Sequence, residues 1–190
     1  MTEDWVRIIA GTLKGRKLKS FEGKDIRPTS DRTRESIFNL LMHGHYAGES
    51  VIGQHVVDLC CGTGALGLEA VSRGARAATF VDQSKAALGF AKDNAMHCGV
   101  VQQCHFLQAD VTRLPPAREP AALVLMDAPY AKPLLVPAYA SLRAQGWLAQ
   151  ETLIVNELPR GQEPPALPGA ELRDSRKYGK AMIHIYRFAG

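Results

Sequence analysis

The middle of the chain alternates short apolar runs with stretches of helical periodicity. Val56-Val57-Asp58-Leu59, Ala77-Ala78-Thr79-Phe80-Val81 and Ala121-Ala122-Leu123-Val124-Leu125-Met126 are too short for helices and too apolar for loops, so they predict buried strands over 55–59, 77–82 and 121–126. Weaker runs predict strands at 103–108 and 151–156, and the apolar spacing between runs predicts helices over 64–73, 84–98 and 133–145. Such alternation means an α/β fold, a parallel sheet joined by right-handed crossovers. The two ends differ. Val6-Arg7-Ile8-Ile9, a turn over 11–15 and Arg16-Lys17-Leu18 predict a short hairpin, and Ser30 or Asp31 can cap a helix carrying Ile37, Leu40 and Leu41. After a proline-rich loop at 159–169, segments 171–176 and 181–188 predict a closing antiparallel hairpin around Tyr178-Gly179-Lys180. The expected division is a basic hairpin and helix over 1–50, packed on a larger domain over 51–190.

Composition narrows the class. With 190 residues, 46% of them hydrophobic and 22% charged, the chain can bury a core of ordinary size. Its acidic start lacks the pattern of a signal peptide and no apolar run approaches a membrane span, so a cytoplasmic protein with no membrane partner is expected. Cys60, Cys61, Cys98 and Cys104 have neither zinc-finger spacing nor a suitably placed His, which predicts buried reduced thiols and no metal. Net charge is only +4, but Arg7, Lys14, Arg16, Lys17 and Lys19 fall between Trp5 and Ser20 without one acid, and Arg27, Arg32 and Arg34 follow. That distribution points to a nucleic-acid partner held by the N-terminal segment, and removal of residues 1–20 is expected to weaken that binding while leaving the rest of the fold formed.

A strand, a glycine turn and a helix start are written in Asp58-Leu59-Cys60-Cys61-Gly62-Thr63-Gly64-Ala65-Leu66-Gly67. Gly62 and Gly64 let backbone approach a ligand closely. Counted literally, the stretch from Gly62 to Gly67 satisfies the dinucleotide fingerprint, with Asp82 at the end of the next strand, so a dehydrogenase competes. Three points favour S-adenosylmethionine. Asp58 stands just before the turn, where it would repel a pyrophosphate but can serve a cofactor amino group. Asp110, closing the third strand, suits an adenine amino group, whereas Asp82 can take ribose hydroxyls in either case. No Tyr-x-x-x-Lys is present to run hydride chemistry. The candidate cofactor set is therefore Asp58, Cys60, Gly62, Gly64, Leu66, Asp82 and Asp110, with Arg34 a candidate for the cofactor's carboxylate or for RNA phosphates.

Asp127-Ala128-Pro129-Tyr130 follows the third apolar run, where open sheets transform ligands. The Asp127 carboxylate and the Ala128 carbonyl can accept from the two N–H bonds of a planar amine, making its nitrogen more pyramidal and stabilising the positive charge that develops on methylation. Pro129 restricts residue 128 to extended geometry, and Tyr130 can stack on a base. These four are the candidate catalytic residues. Arg7, Lys14, Arg16, Lys17, Arg27, Arg32, Tyr178 and Lys180 are the candidate RNA contacts.

Taken together, Arg27-Pro28-Thr29-Ser30-Asp31-Arg32-Thr33-Arg34-Glu35, the glycine loop continuing through Leu68-Glu69-Ala70-Val71-Ser72-Arg73-Gly74-Ala75, and the tetrapeptide resemble the RsmD family of bacterial 16S ribosomal RNA guanine-N2 methyltransferases. The likeness runs from Arg7-Ile8-Ile9-Ala10-Gly11 to Tyr178-Gly179. It implies a Rossmann-like class I methyltransferase with a seven-stranded, mostly parallel sheet and an N-terminal extension, S-adenosylmethionine as cofactor, and a guanine of 16S rRNA as substrate, within an assembled or assembling small subunit. DNA is not expected as a partner. One departure stands out: Ala128 occupies the place of a usual proline, which loosens the acceptor carbonyl and bears on turnover. An N-methyltransferase for adenine or for a protein glutamine, and an RNA-binding module without catalysis, are the competing readings.

Overall fold

The computed structural model describes residues 6–20, 31–128, 133–179 and 181–190. They form, in chain order, β1 (Val6–Arg7), β2 (Lys17–Leu18), α1 (Asp31–Met42), β3 (His55–Leu59), α2 (Ala65–Ser72), β4 (Ala77–Asp82), α3 (Lys85–Cys98), β5 (Cys104–Gln108), β6 (Ala121–Met126), α4 (Leu135–Ala144), β7 (Leu148–Pro159), β8 (Ala170–Tyr178) and β9 (Ala181–Phe188). Strands β3 to β9 make one sheet in the order β5-β4-β3-β6-β7-β9-β8. The first five pair in parallel, and β9 runs antiparallel to both its neighbours. No described helix is long and apolar enough to cross a membrane.

The central strands read as continuous apolar runs because helices cover both faces. Val56, Leu123, Leu125 and Val155 pack under Ile37, Phe38 and Leu41 of α1. Their neighbours Val57, Leu59, Val124, Met126 and Ile154 face Leu135, Ala138 and Leu142 of α4 on the other side. Strand β7 is longer at both ends than the expected 151–156. A register shift opposite Ala121 and Leu123 lets it start at Leu148. At its far end β6 stops at the Met126–Asn156 pair, and Glu157, Leu158 and Pro159 pair with β9 alone.

The N-terminal hairpin belongs to this packing. Ile8, Leu13 and Leu18 are buried with Leu68 and Val71 of α2 and Ala91 and Ala95 of α3. A Cβ at Gly11 would collide with the Ser72 carbonyl, so only glycine allows the hairpin to lie this close to α2. The buried Glu69 carboxylate accepts from the N–H groups of Ile9 (2.8 Å) and Ala10 (3.1 Å). It also pairs with Arg73 Nε at 2.7 Å and Arg34 Nε at 3.9 Å. From α3, Asn94 accepts from Lys19 N–H (2.8 Å) and donates to the carbonyls of Lys19 and Thr63, both at 3.0 Å. Thr63 lies in the glycine loop. The expectation that residues 1–20 can be removed with that loop intact is therefore corrected, because the hairpin supplies both core side chains and loop support.

Glu69 is the most consequential polar residue of this arrangement. Glu69→Ala strands two backbone amides and two guanidinium groups, which should cost about 3 to 5 kcal/mol by analogy with other broken buried pairs. Urea denaturation followed by circular dichroism checks this, and a variant as stable as the parent would show that the hairpin is held by apolar contacts alone.

Candidate active site

Strand β3 pairs with β4 on one side and β6 on the other. From the ends of β3 and β6 the chain winds to opposite sides, and open α/β sheets bind ligands in the crevice this opens. Four strand ends, Leu59, Asp82, Gln108 and Met126, line its floor. The loop after β3 turns by placing Cys60 (φ 57°), Gly62 (φ 53°) and Gly64 (φ 79°) in left-handed geometry. For Cys60 this backbone is strained by roughly 1 to 2 kcal/mol, a pattern found at functional loops.

The glycines have separate jobs. A Cβ at Gly67 would come within 2.4 Å of the Phe80 ring, and one at Gly64 within 3.1 Å of Phe80 and Ala91, so these two let α2 press onto the sheet. A Cβ at Gly62 would meet nothing within 4 Å, which leaves that side of the loop open to a ligand. Leu66 is buried beneath it.

Carboxylates from the chain itself occupy amides of this loop. Asp58, 1% exposed, accepts from Gly67 N–H at 2.9 Å. Asp82 accepts from Gly62 N–H at 3.1 Å and from Ser84 N–H at 2.9 Å. Asp110, beyond β5, is exposed and takes the Thr112 N–H and hydroxyl at 2.9 and 2.8 Å. Asp127, half-buried, follows β6 directly. All four converge on Cys60, whose thiol is pushed up to about 12, first by burial and then by the carboxylates. Burial, with Asp127 and Asp82 adding to it against the Gly67 hydrogen bond, also raises Asp58 well above its ordinary range. A crevice of this sign suits a cationic ligand and repels a pyrophosphate, so the dinucleotide reading fails on electrostatics.

The structure thus brings together Cys60, Gly62, Asp82, Asp110, Asp127 and Ala128. Asp58 lies beneath the loop, as its support, rather than on the open side. Arg34 is a correction: expected toward the cofactor's carboxylate or RNA, it is fully buried, donating to the Arg7 carbonyl (2.6 Å) and Asp31 (2.8 Å) and pairing with Glu69. Its charge opposes the start of α1, and the Arg7 carbonyl, the half-exposed Asp31 and the buried Glu69 carboxylate compensate it. Lys14, Arg16, Lys17 and Arg32 are exposed on the hairpin and the first turn of α1, while Arg7 pairs with Asp31 at 3.1 Å. Tyr178 is half-buried against the α1 core. Arg27, Pro129, Tyr130 and Lys180 lie outside the described residues. Sequence reasoning missed Glu69, Asn94 and Asn156. Only the last left a signal, a lone amide closing the apolar run Leu153-Ile154-Val155.

Asp58 generates a pH prediction. Its folded-state affinity for a proton exceeds that of the unfolded chain, so its contribution to stability is full below the ordinary carboxylate range and is lost as pH rises through the raised value. Asp58→Asn keeps an acceptor for Gly67 N–H and cannot ionise. Its melting temperature, measured without ligand, should gain on the parent as pH rises from the ordinary carboxylate range toward the raised value. A difference that stays constant as pH rises above the ordinary carboxylate range would mean that Asp58 titrates normally.

Residues 6–187 match the model of a family described as conserved hypothetical protein 95. The putative rRNA methyltransferase YlbH of Bacillus subtilis (strain 168) is 32% identical over 191 residues, covering 97% of this chain and 100% of that protein. Ribosomal RNA small subunit methyltransferase D of Escherichia coli (strain K12) is 30% identical over 192 residues, 96% of this chain and 89% of that one. A solved structure of a putative methyltransferase, yhhF from Escherichia coli, superposes with a TM-score of 0.82 at 27% identity, over 97% of this chain and 98% of that chain. The sheet is that of the class I methyltransferases. Matched over nearly its whole length both by the family model and by these relatives, the chain belongs to the conserved hypothetical protein 95 family, the RsmD family.

Proposed function

We propose that this chain transfers a methyl group from S-adenosylmethionine to the exocyclic N2 of a guanine in 16S ribosomal RNA, within the small ribosomal subunit. The observation that carries the reading is the meeting of Asp127 and Ala128 with a carboxylate-lined cradle at one crevice. The residues present fit the cofactor: the open side of Gly62 admits it, Asp82 and Asp110 would hold its ribose hydroxyls and adenine amino group, and the negative crevice favours its positive charge. When bound, the cofactor supplies an already activated methyl group, so the protein has to orient and stabilise rather than activate.

Asp127 and the Ala128 carbonyl do the orienting. They accept the two N–H bonds of the target amine, draw its lone pair out of the ring and stabilise the charge that grows on nitrogen as the methyl arrives. Tyr130, three residues beyond Asp127 in sequence, supplies a stacking partner worth about 1 to 3 kcal/mol toward taking the base out of its stack. The exposed cations of the hairpin and of α1, namely Lys14, Arg16, Lys17 and Arg32, bind RNA phosphates without reading sequence. The names of the B. subtilis and E. coli relatives support a ribosomal RNA substrate, and a cytoplasmic reaction is part of the same reading.

Two outcomes are expected. Asp82→Ala should weaken S-adenosylmethionine binding by about 1.5 to 3 kcal/mol in calorimetry, the loss of a charge-assisted acceptor, and tight binding of NADH with none of S-adenosylmethionine would end the reading. In single-turnover methylation of small subunits, Asp127→Ala should lower the rate by a factor on the order of 100 to 1,000 with little change in cofactor affinity, and Asp127→Asn by less. An Asp127→Ala enzyme as fast as the parent would mean that the amine is held elsewhere.

A further inference from the structure

Beside Ala128, on the α4 side of the sheet, lies a cavity of about 290 Å³. It is bounded by Pro133, Leu134 and Leu135 leading into α4 and by Asn156, Leu158 and Pro159 at the end of β7. Its size is close to the lower limit of small-ligand pockets, about 300 Å³, which is room for one planar ring system. Asn156 is 1% exposed, and neither its Nδ2 nor its Oδ1 has a hydrogen-bond partner among the described residues. Directly across the antiparallel ladder stands His184, also 1% exposed. Its Nδ1 meets the Ser175 hydroxyl at 2.8 Å, while its Nε2 has no partner among the described residues. Strand alternation puts both side chains on the α4 face, since Ile154 and Tyr186, two positions away, pack there with Leu135 and Ala138.

Three unmatched polar atoms on two adjacent buried residues are unusual, because such groups are nearly always hydrogen-bonded and destabilise a fold when they are not. Residues that lower stability in this way are kept where a ligand completes them. We propose that Asn156, with His184 beside it, reads the Watson–Crick edge of the target guanine, an inference that rests on the guanine-N2 reading above. With N2 held at Asp127 and Ala128, the next groups along that edge are N1–H, a donor, and O6, an acceptor. One amide matches both: Oδ1 accepts from N1–H and Nδ2–H donates to O6. His184 does not line the cavity itself; it stands beside Asn156 on the neighbouring strand, with its Nδ1 against the Ser175 hydroxyl, where burial lowers its pKa and favours the neutral ring. An adenine with its amine at Asp127 would present a bare N1 lone pair to Oδ1 and a C2–H to the amide's donor, leaving Asn156 unmatched.

The test uses the full chain, saturating S-adenosylmethionine and small ribosomal subunits that lack the modification, with the product nucleoside identified by mass spectrometry. Asn156→Leu, close in volume and free of polar atoms, should lower kcat/KM for the particle about tenfold to a hundredfold. Its affinity for S-adenosylmethionine should be unchanged and its melting temperature equal to or above the parent's. His184→Phe should show a smaller fall of the same kind. Parent-like methylation by Asn156→Leu would overturn the assignment, and so would a lowered melting temperature with activity lost only in proportion to the unfolded fraction. If the parent yields N2-methylguanosine and Asn156→Leu keeps pace, only the role of Asn156 falls. A parent that yields no N2-methylguanosine removes the guanine reading and this inference with it.

Discussion

What occupies the backbone amides around the start of α2 decides what this crevice can hold. In a phosphate-binding fold those donors are left for the ligand. Here Asp58 takes Gly67 N–H and Asp82 takes Gly62 N–H, so the loop is satisfied from within, and Asp82, Asp110 and Asp127 make its open side negative. The same fingerprint of glycines that allows a dinucleotide reading in sequence thus serves a different end. Gly64 and Gly67 bring α2 against Phe80, Gly62 leaves a space, and the carboxylates set the charge of that space. With Asp127 delivered to the same place by the neighbouring strand, the binding of a cationic cofactor and the proposed stabilisation of a cationic amine would draw on one electrostatic field.

The N-terminal hairpin is tied to the same loop. Its exposed face carries Lys14, Arg16 and Lys17, while its buried face is bolted to α2 through Glu69 and Ser72. Asn94 then links the end of the hairpin to the carbonyl of Thr63 in the loop. The exposed basic face of the hairpin and the glycine loop are consequently joined in one hydrogen-bonded unit.

The sheet was legible because buried parallel strands are written as unbroken apolar runs, and the acids that matter stand at their ends: Asp58 late in β3, Asp82 at the close of β4, and Asp110 and Asp127 just beyond β5 and β6. Arg34 was not fully legible: Asp31, three residues before it, is a local acceptor, but its burial depends on the backbone of a two-residue strand and on an ion pair with an acid far along the chain, Glu69. A basic segment reads as a free surface until the alternate residues Ile8, Leu13 and Leu18 are seen to be core. Asn156 marks another limit. A polar residue at a strand end is commonplace, and only its burial without partners beside a cavity gives it meaning.

The central claim, methyl transfer to the N2 of a guanine in small-subunit RNA, is tested most directly by mapping modified nucleosides along 16S rRNA from cells with and without this chain. One N2-methylguanosine should disappear when the chain is absent and return when it is restored. Identical guanine methylation in both strains, or the loss of a methylated adenine instead, would contradict the account.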